Sequence, residues 1–305
     1  MRSDSSLPGR NRTDLLFLPA FGFFLFMMLF HLMHSPLWGD EWVEYSVSQQ
    51  SIQYSEMIIS IIRSFQPPLY NFVMHFWLQI NNSILWFRLF NVLVGFISGI
   101  IMFKTLSLTA NRIVASATVF VLGATYQWVF CIQECSEYSL MVMFLFFALY
   151  YFILTHRENT LKNELLLILS CILAIYSQYG AVFVAVPLLM QNFFNVCRSR
   201  NLARIKTSIS IYVVSVIVFA APLYYFFARW QLMRNGLEHN LSFNYKEFSQ
   251  FPVVFGKLYG YFFHVSESTC SILLAVSGFV FLCMAFILLF RKETDWNSKI
   301  CPSWF

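Results

Sequence analysis

The chain has 305 residues, of which 58% are hydrophobic and only 11% charged, with a mean hydropathy of +0.63. A soluble globule carries about a quarter charged residues, so lipid must cover much of this surface. The net charge of +5 is spread thinly, and no long basic tract suits nucleic acid.

Apolar runs predict an all-α, polytopic integral membrane protein with about eight transmembrane helices, at residues 14–33, 84–106, 113–131, 137–154, 164–179, 180–196, 208–228 and 269–290. A span needs about 20 residues, and the first run meets that. Pro36-Leu37-Trp38 follows it in place of a small-residue cleavage site, so it reads as a retained helix and not as a signal peptide. Two parts are expected: residues 1–230, a membrane domain with a large outer loop at 34–83, and residues 231–305, an outer loop, a last span and a short tail.

Orientation follows from Lys and Arg, which gather on cytoplasmic loops. With the N-terminus in the cytoplasm, fourteen of the twenty basic residues fall inside, among them Lys104, Arg112, Arg157, Arg198 and Lys206, while nine of the fifteen acids fall outside. The opposite orientation would put the basic loops outside.

The first outer loop is structured. Asp40, Glu41 and Glu44 follow the first span directly. If helical, Asp40 and Glu44 share a face, and carboxylates so close raise one another's pKa. Gln53, Glu56, Ser60 and Arg63 recur at helical spacing, as do Asn71, His75 and Gln79 after Pro67-Pro68. Both stretches read as amphipathic helices lying in the membrane interface. Arg88 opens the second span, either as an interfacial anchor that snorkels to water or as a fork of donors for phosphate. Gln133, Glu134, Ser136, Glu137 and Tyr138 lie between the third and fourth spans, and Tyr176 to Tyr179 between the fifth and sixth. Every polar cluster near an apolar boundary faces the compartment of Asp40.

Motifs of other chemistries are absent: there is no GxxxxGK[ST] loop, HExxH or GxSxG. The seven cysteines form no CxxC pair and read as small apolar residues of membrane helices. The six histidines show no pair at ligand spacing and read as packing residues.

The series LWGDEWVEYS, QPPLYNFVMHFWLQ, WFRLFNVLVG, CIQECSEYSLMV and IYSQYGAVFV, in order over residues 30–230, resembles the GT-C-type membrane glycosyltransferases of the dolichyl-phosphate-mannose protein mannosyltransferase family and its bacterial relatives. In that family an Asp-Glu pair follows the first helix, an HPPLY-like interfacial helix comes next, and a span opens with Arg-Leu. Gln66, Ser136 and Gln178 stand where relatives carry His, Arg and His, and relatives usually have more spans and a longer C-terminal part, as if this chain were truncated.

The resemblance implies transfer of a sugar, with inversion, from a polyprenyl-phosphate donor to a glycan, lipid or protein acceptor outside the membrane. Asp40 and Glu41 would be catalytic. Arg88, Arg63, Gln66, Tyr70, Glu134, Tyr138, Gln178 and Tyr179 would bind substrate, with Arg229 and Lys257 as further bases for the leaving phosphate. It requires no cofactor, although a divalent cation beside the acids is compatible with it. The membrane would be the bacterial plasma (inner) membrane, with the endoplasmic reticulum as the alternative. Two other classes are weighed against it: an inactive lipid-sugar-binding homologue, which the three neutral residues favour, and a transporter or flippase-like carrier. A carrier calls for mid-span charges and repeated halves; mid-span charges are nearly absent here and no halves repeat.

Overall fold

The computed structural model describes residues 17–30, 32, 37, 39–64, 66–198 and 201–231, which lie in one compact unit, Met1–Asn235. Among them every element is helical: α1 Phe17–Leu29, α2 Gly39–Ser48, α3 Tyr54–Ser64, α4 Leu69–Leu78, α5 Ile84–Thr109, α6 Arg112–Ala124, α7 Tyr126–Gln133, α8 Glu137–Glu158, α9 Leu161–Ser177, α10 Val182–Arg198 and α11 Leu202–Ser215. α11 continues through wide π turns at Val216–Ala220 and Tyr224–Ala228. Four stretches are long and apolar enough to cross a membrane: Ile84–Thr109, Glu137–Glu158, Tyr179–Arg198 and Leu202–Gln231. The expected span at 269–290 lies outside the described residues.

Boundaries follow from capping side chains, which accept the N–H groups that a helix start leaves unpaired. Ser83 Oγ accepts from Trp86 N (3.2 Å), Asn111 Oδ1 from Val114 N (2.8 Å) and Asn201 Oδ1 from Arg204 N (3.1 Å). Asn159, at φ 46°, turns α8 into α9. Asn is among the few residues that tolerate this left-handed conformation.

Two expectations need correction. The run 113–131 is not one helix, because Thr125 is extended (φ −84°, ψ 112°) and separates α6 from α7. Gln133, at the end of α7, donates instead to the C-terminal carbonyls of α1 at Phe30 (2.7 Å) and Met28 (3.1 Å). The seventh helix begins at Leu202 rather than 208. This brings Arg204 against Glu164, which is fully buried on α9, at 2.7 Å, with Ser208 donating to the same oxygen at 3.0 Å. Glu164 is therefore a helix-to-helix pin.

The structure also sets the polarity of α4. Asn71 and His75 are 1% and 3% exposed, whereas Phe76 is 60% exposed. The polar stripe faces α2, and an aromatic face points outward. In lipid this is the favourable arrangement, since buried polar groups find partners and apolar ones need none. At ten residues α4 is about 15 Å long, half a bilayer core. The Trp77 and Trp86 indoles clasp it to α5. They stack at 4.5 Å, and each donates its N–H to the other's backbone carbonyl (2.8 and 3.0 Å).

The core of α1, α5 and α6 depends on small residues. Phe24 is fully buried. A Cβ on Gly99 would stand 2.6 Å from its ring, and one on Gly123 2.9 Å from its Cα. Close approach at small residues is how membrane helices gain packing without a hydrophobic drive. Gly123→Ala must displace backbone and should lose about 1–3 kcal/mol. Gly22→Ala, which meets open space, should be as stable as wild type or more so. Thermal midpoints of the two variants in detergent check this, and equal stability would refute the packing.

For topology, single cysteines at Asn82 and Lys162 in a cysteine-free background should label oppositely. A membrane-impermeant maleimide should reach Asn82→Cys in intact cells and Lys162→Cys only after permeabilisation. The reverse pattern would invert the orientation.

Candidate functional site

The first turns of α2 and α4, the start of α5 and the α7–α8 turn bring their polar residues together. The buried face of α2 is Glu41, Glu44, Val47 and Ser48, and Asp40 is exposed. Asp40 and Glu44 therefore do not share an environment, although the Asp40 charge still acts on Glu44 and Glu134.

Glu41 and Arg88 are each 3% exposed and pair at 3.1 Å. The other Glu41 oxygen accepts from Cys135 N (3.2 Å), and Arg88 donates to the Leu32 carbonyl (2.5 Å). Arg88 is thus neither a snorkelling anchor nor an open phosphate fork: it is committed to Glu41 and the end of the first helix.

Glu44 accepts from Asn71 Nδ2 at 2.6 Å, while its Oε1 is buried without a hydrogen bond. Asn71 also donates to Ser48 Oγ (3.3 Å), and His75 Nδ1 stands 3.2 Å from the Ser48 carbonyl. Gln66 lies near Glu44 and donates to the buried Glu137 at 3.3 Å. Burial, then the charges of Glu137 and Asp40, push Glu44 up to about 8, so at neutral pH it is mostly a protonated acid. Burial, with Glu41 and Asp40 beside it, also raises the half-buried Glu134. Cys135 is pushed to about 12 by burial and then Glu41, and is an inert thiol.

The remaining predicted residues divide. Tyr70 is fully buried, accepts from Asn91 Nδ2 (3.0 Å) and is held protonated by burial; Asn91 in turn accepts from Ser139 (2.6 Å). Tyr70 is thus part of the frame. Tyr138 is exposed, with the Gln178 side chain within reach. Tyr179 donates to Gln231 Oε1 (2.8 Å), and Gln231 Nε2 donates to the carbonyls of Gln66 (2.8 Å) and Ile61 (3.2 Å). Arg63 is exposed on the last turn of α3, and among the described residues no hydrogen bond or ion pair joins it to the cluster. Arg229 lies over the Tyr225 and Trp230 rings. Lys257 lies outside the described residues. No three His, Cys, Asp or Glu side chains among the described residues are placed to hold a metal ion.

Sequence reasoning missed Asn71, Asn91 and Gln231 as organising residues. Asn91 carried a signal, since it stands one turn beyond Arg88 inside an apolar run. Gln231 carried none, being one polar residue at the start of a polar stretch.

The four long apolar stretches mark this as an integral membrane protein. Residues 65–225 match the family model of the dolichyl-phosphate-mannose-protein mannosyltransferases. The match covers more than half of the chain, and the chain belongs to that family, a class of GT-C-type membrane glycosyltransferases. No curated protein and no solved structure matches it.

The raised pKa of Glu44 has a stability consequence. Its folded value of about 8 exceeds the ordinary 4.5, so the folded chain keeps a proton that the unfolded chain releases. That stabilisation is complete below pH 4.5, falls as pH rises towards 8 and is gone above it. Glu44→Gln should match wild type near pH 4.5 and exceed it in thermal midpoint above pH 8. A wild-type loss between these values that Glu44→Gln shares in full would show that another group is responsible.

Proposed function

We propose that the protein transfers a sugar, with inversion, from a polyprenyl-phosphate donor to an acceptor hydroxyl outside the plasma membrane. The observation that carries this reading is the division of labour on α2. Asp40 is exposed, whereas Glu41 and Glu44 behind it are buried and engaged by Arg88 and Asn71. Asp40 is the carboxylate of this helix that a substrate in the outer aqueous layer can reach. It takes the acceptor proton as the acceptor oxygen attacks the anomeric carbon. The bond from that carbon to the phosphate oxygen breaks, and polyprenyl phosphate leaves with the electron pair. Because Arg88 is committed to Glu41, we assign the leaving phosphate to the exposed Arg63 and to Arg229. Tyr138, Gln178 and Glu134, less buried than the frame, meet the sugar.

A second reading is favoured by Gln66, Ser136 and Gln178, which are neutral where relatives are cationic or titratable: the protein would bind the lipid-linked sugar without turning it over. Sugar transfer by purified protein in lipid separates the two, with donor binding measured in parallel. A positioned base supplies ~10²–10⁴ in rate, so Asp40→Asn should lower turnover by that range and leave donor binding intact. Full turnover by Asp40→Asn would end the mechanism. Donor binding by wild type without turnover would establish the second reading.

A further inference from the structure

Two acceptors are left over where α2 meets α4. Glu44 and Asn71 are each 1% exposed, and one hydrogen bond joins them, from Asn71 Nδ2 to Glu44 Oε2 at 2.6 Å. The second oxygen of each, Glu44 Oε1 and Asn71 Oδ1, is buried without a hydrogen-bond partner. Carboxylate and amide oxygens can only accept. Asn71 cannot supply the missing donor, because its Nδ2 already serves Glu44 Oε2 and Ser48 Oγ (3.3 Å). A charged Glu44 would therefore leave two buried acceptors unpaired, a cost that folded proteins rarely carry. One proton on Oε1 removes both, since it makes Glu44 a donor at the oxygen that lacks a partner.

The surroundings favour the same state. The charges that act on Glu44 are Glu137 at the start of α8 and Asp40 on α2, and both are negative. Arg88 of α5 is engaged by Glu41. Gln66 beside Glu44 is neutral. On α4, Tyr70 feels the Glu44 charge, and His75 faces the Ser48 carbonyl. Glu56 and Arg63 of α3 are exposed. Burial, ahead of these charges, is what lifts Glu44 to about 8.

We propose that Glu44 is a positioning residue that works as a neutral acid: it donates from Oε1 to Asn71 Oδ1, and so leaves Asp40 as the charge that α2 presents to an anionic donor. The inference rests on the transfer reading above, in which the donor is a polyprenyl-phosphate sugar. Of the three acids of α2, Glu41 is matched by Arg88, Glu44 by its own proton, and Asp40 meets substrate. An ionised Glu44 would add a second negative charge one helical turn from Asp40 and repel the donor phosphate. Donor binding is thus tied to this proton. It holds while Glu44 is neutral and weakens as rising pH removes the proton.

The test uses the full chain in lipid nanodiscs. Infrared difference spectra between about pH 6.5 and about pH 9.5, on either side of the Glu44 value, should show a carboxylic-acid C=O band that is lost at the higher pH. Glu44→Gln, whose amide can keep both hydrogen bonds to Asn71, should lack that band. Asn71→Leu should move it to higher frequency, as for an acid without its partner. Binding of polyprenyl-phosphate mannose, a phosphodiester of constant charge, should weaken about fivefold in wild type over the same interval, the effect of one added charge nearby, and should stay level in Glu44→Gln. Binding of the uncharged polyprenol should not change with pH in either protein. A band that Glu44→Gln shares in full would overturn the proposal, as would an unmoved band in Asn71→Leu. So would donor binding that weakens equally in both proteins or in neither, or polyprenol binding that is also lost at high pH. Failure of wild type to bind polyprenyl-phosphate mannose at either pH would overturn the transfer reading, and the infrared band would still decide the acid–amide pair.

Discussion

The buried pair of Glu41 and Arg88 is the constraint around which the rest of this end of the molecule is arranged. Removing two charges from water costs several kcal/mol per ion, and their attraction repays this only when the geometry is good and further hydrogen bonds complete it. Here the Cys135 N–H donates to the carboxylate, and the Leu32 carbonyl accepts from the guanidinium. Four segments are fixed by one pair, namely the end of the first helix, α2, α5 and the α7–α8 turn. Net stability is not the obvious gain, since apolar replacements of such pairs are often neutral or better. Register is: a slip of α2 by one residue would carry Glu41 off Arg88 and Glu44 off Asn71 together.

Around that pair the usual polarity of a globule is inverted. Glu44, Asn71, Ser48 and His75 are inside, while Phe76, Trp42 and Ile80 are exposed. The same inversion separates the long helices from one another. α5 is more than half buried, whereas Leu202–Gln231 is exposed along nearly its whole length. In lipid an exposed apolar helix costs nothing, so helices need not all share one core.

Much of this was legible in the sequence, for definite reasons. Long apolar runs mark spans whatever their neighbours, so α5, α8 and α10 fell close to their expected places. The QPPLY stretch announced a helix start through its prolines, and α4 begins at Leu69. The acids after the first span were legible as a cluster, but not their division, because burial on α2 follows a face set by Arg88 and Asn71, both far along the chain. The break at Thr125 was hidden within unbroken hydrophobicity. The Asn71 stripe was legible as a distinct face but not in its direction, because periodicity shows that two faces differ, not which one meets solvent. Gln231 joins Tyr179 to Gln66 across more than half the chain, and local pattern carries no trace of such a contact.

The notch that holds Phe24 bears on how the protein is made. α1 leaves the ribosome before α5 and α6, and the glycines that admit its ring, Gly99 and Gly123, are synthesised 75 and 99 residues after Phe24. At ~5–20 residues per second, the first helix sits in the bilayer for several seconds without its partners. Its docking is therefore a late event of assembly, after α5 and α6 have entered. Until then Glu41 has no arginine to meet. The acidic end of the molecule can be completed only once synthesis has passed the α7–α8 turn, so a nascent chain carries α2 long before it carries the partners that bury Glu41 and Glu44.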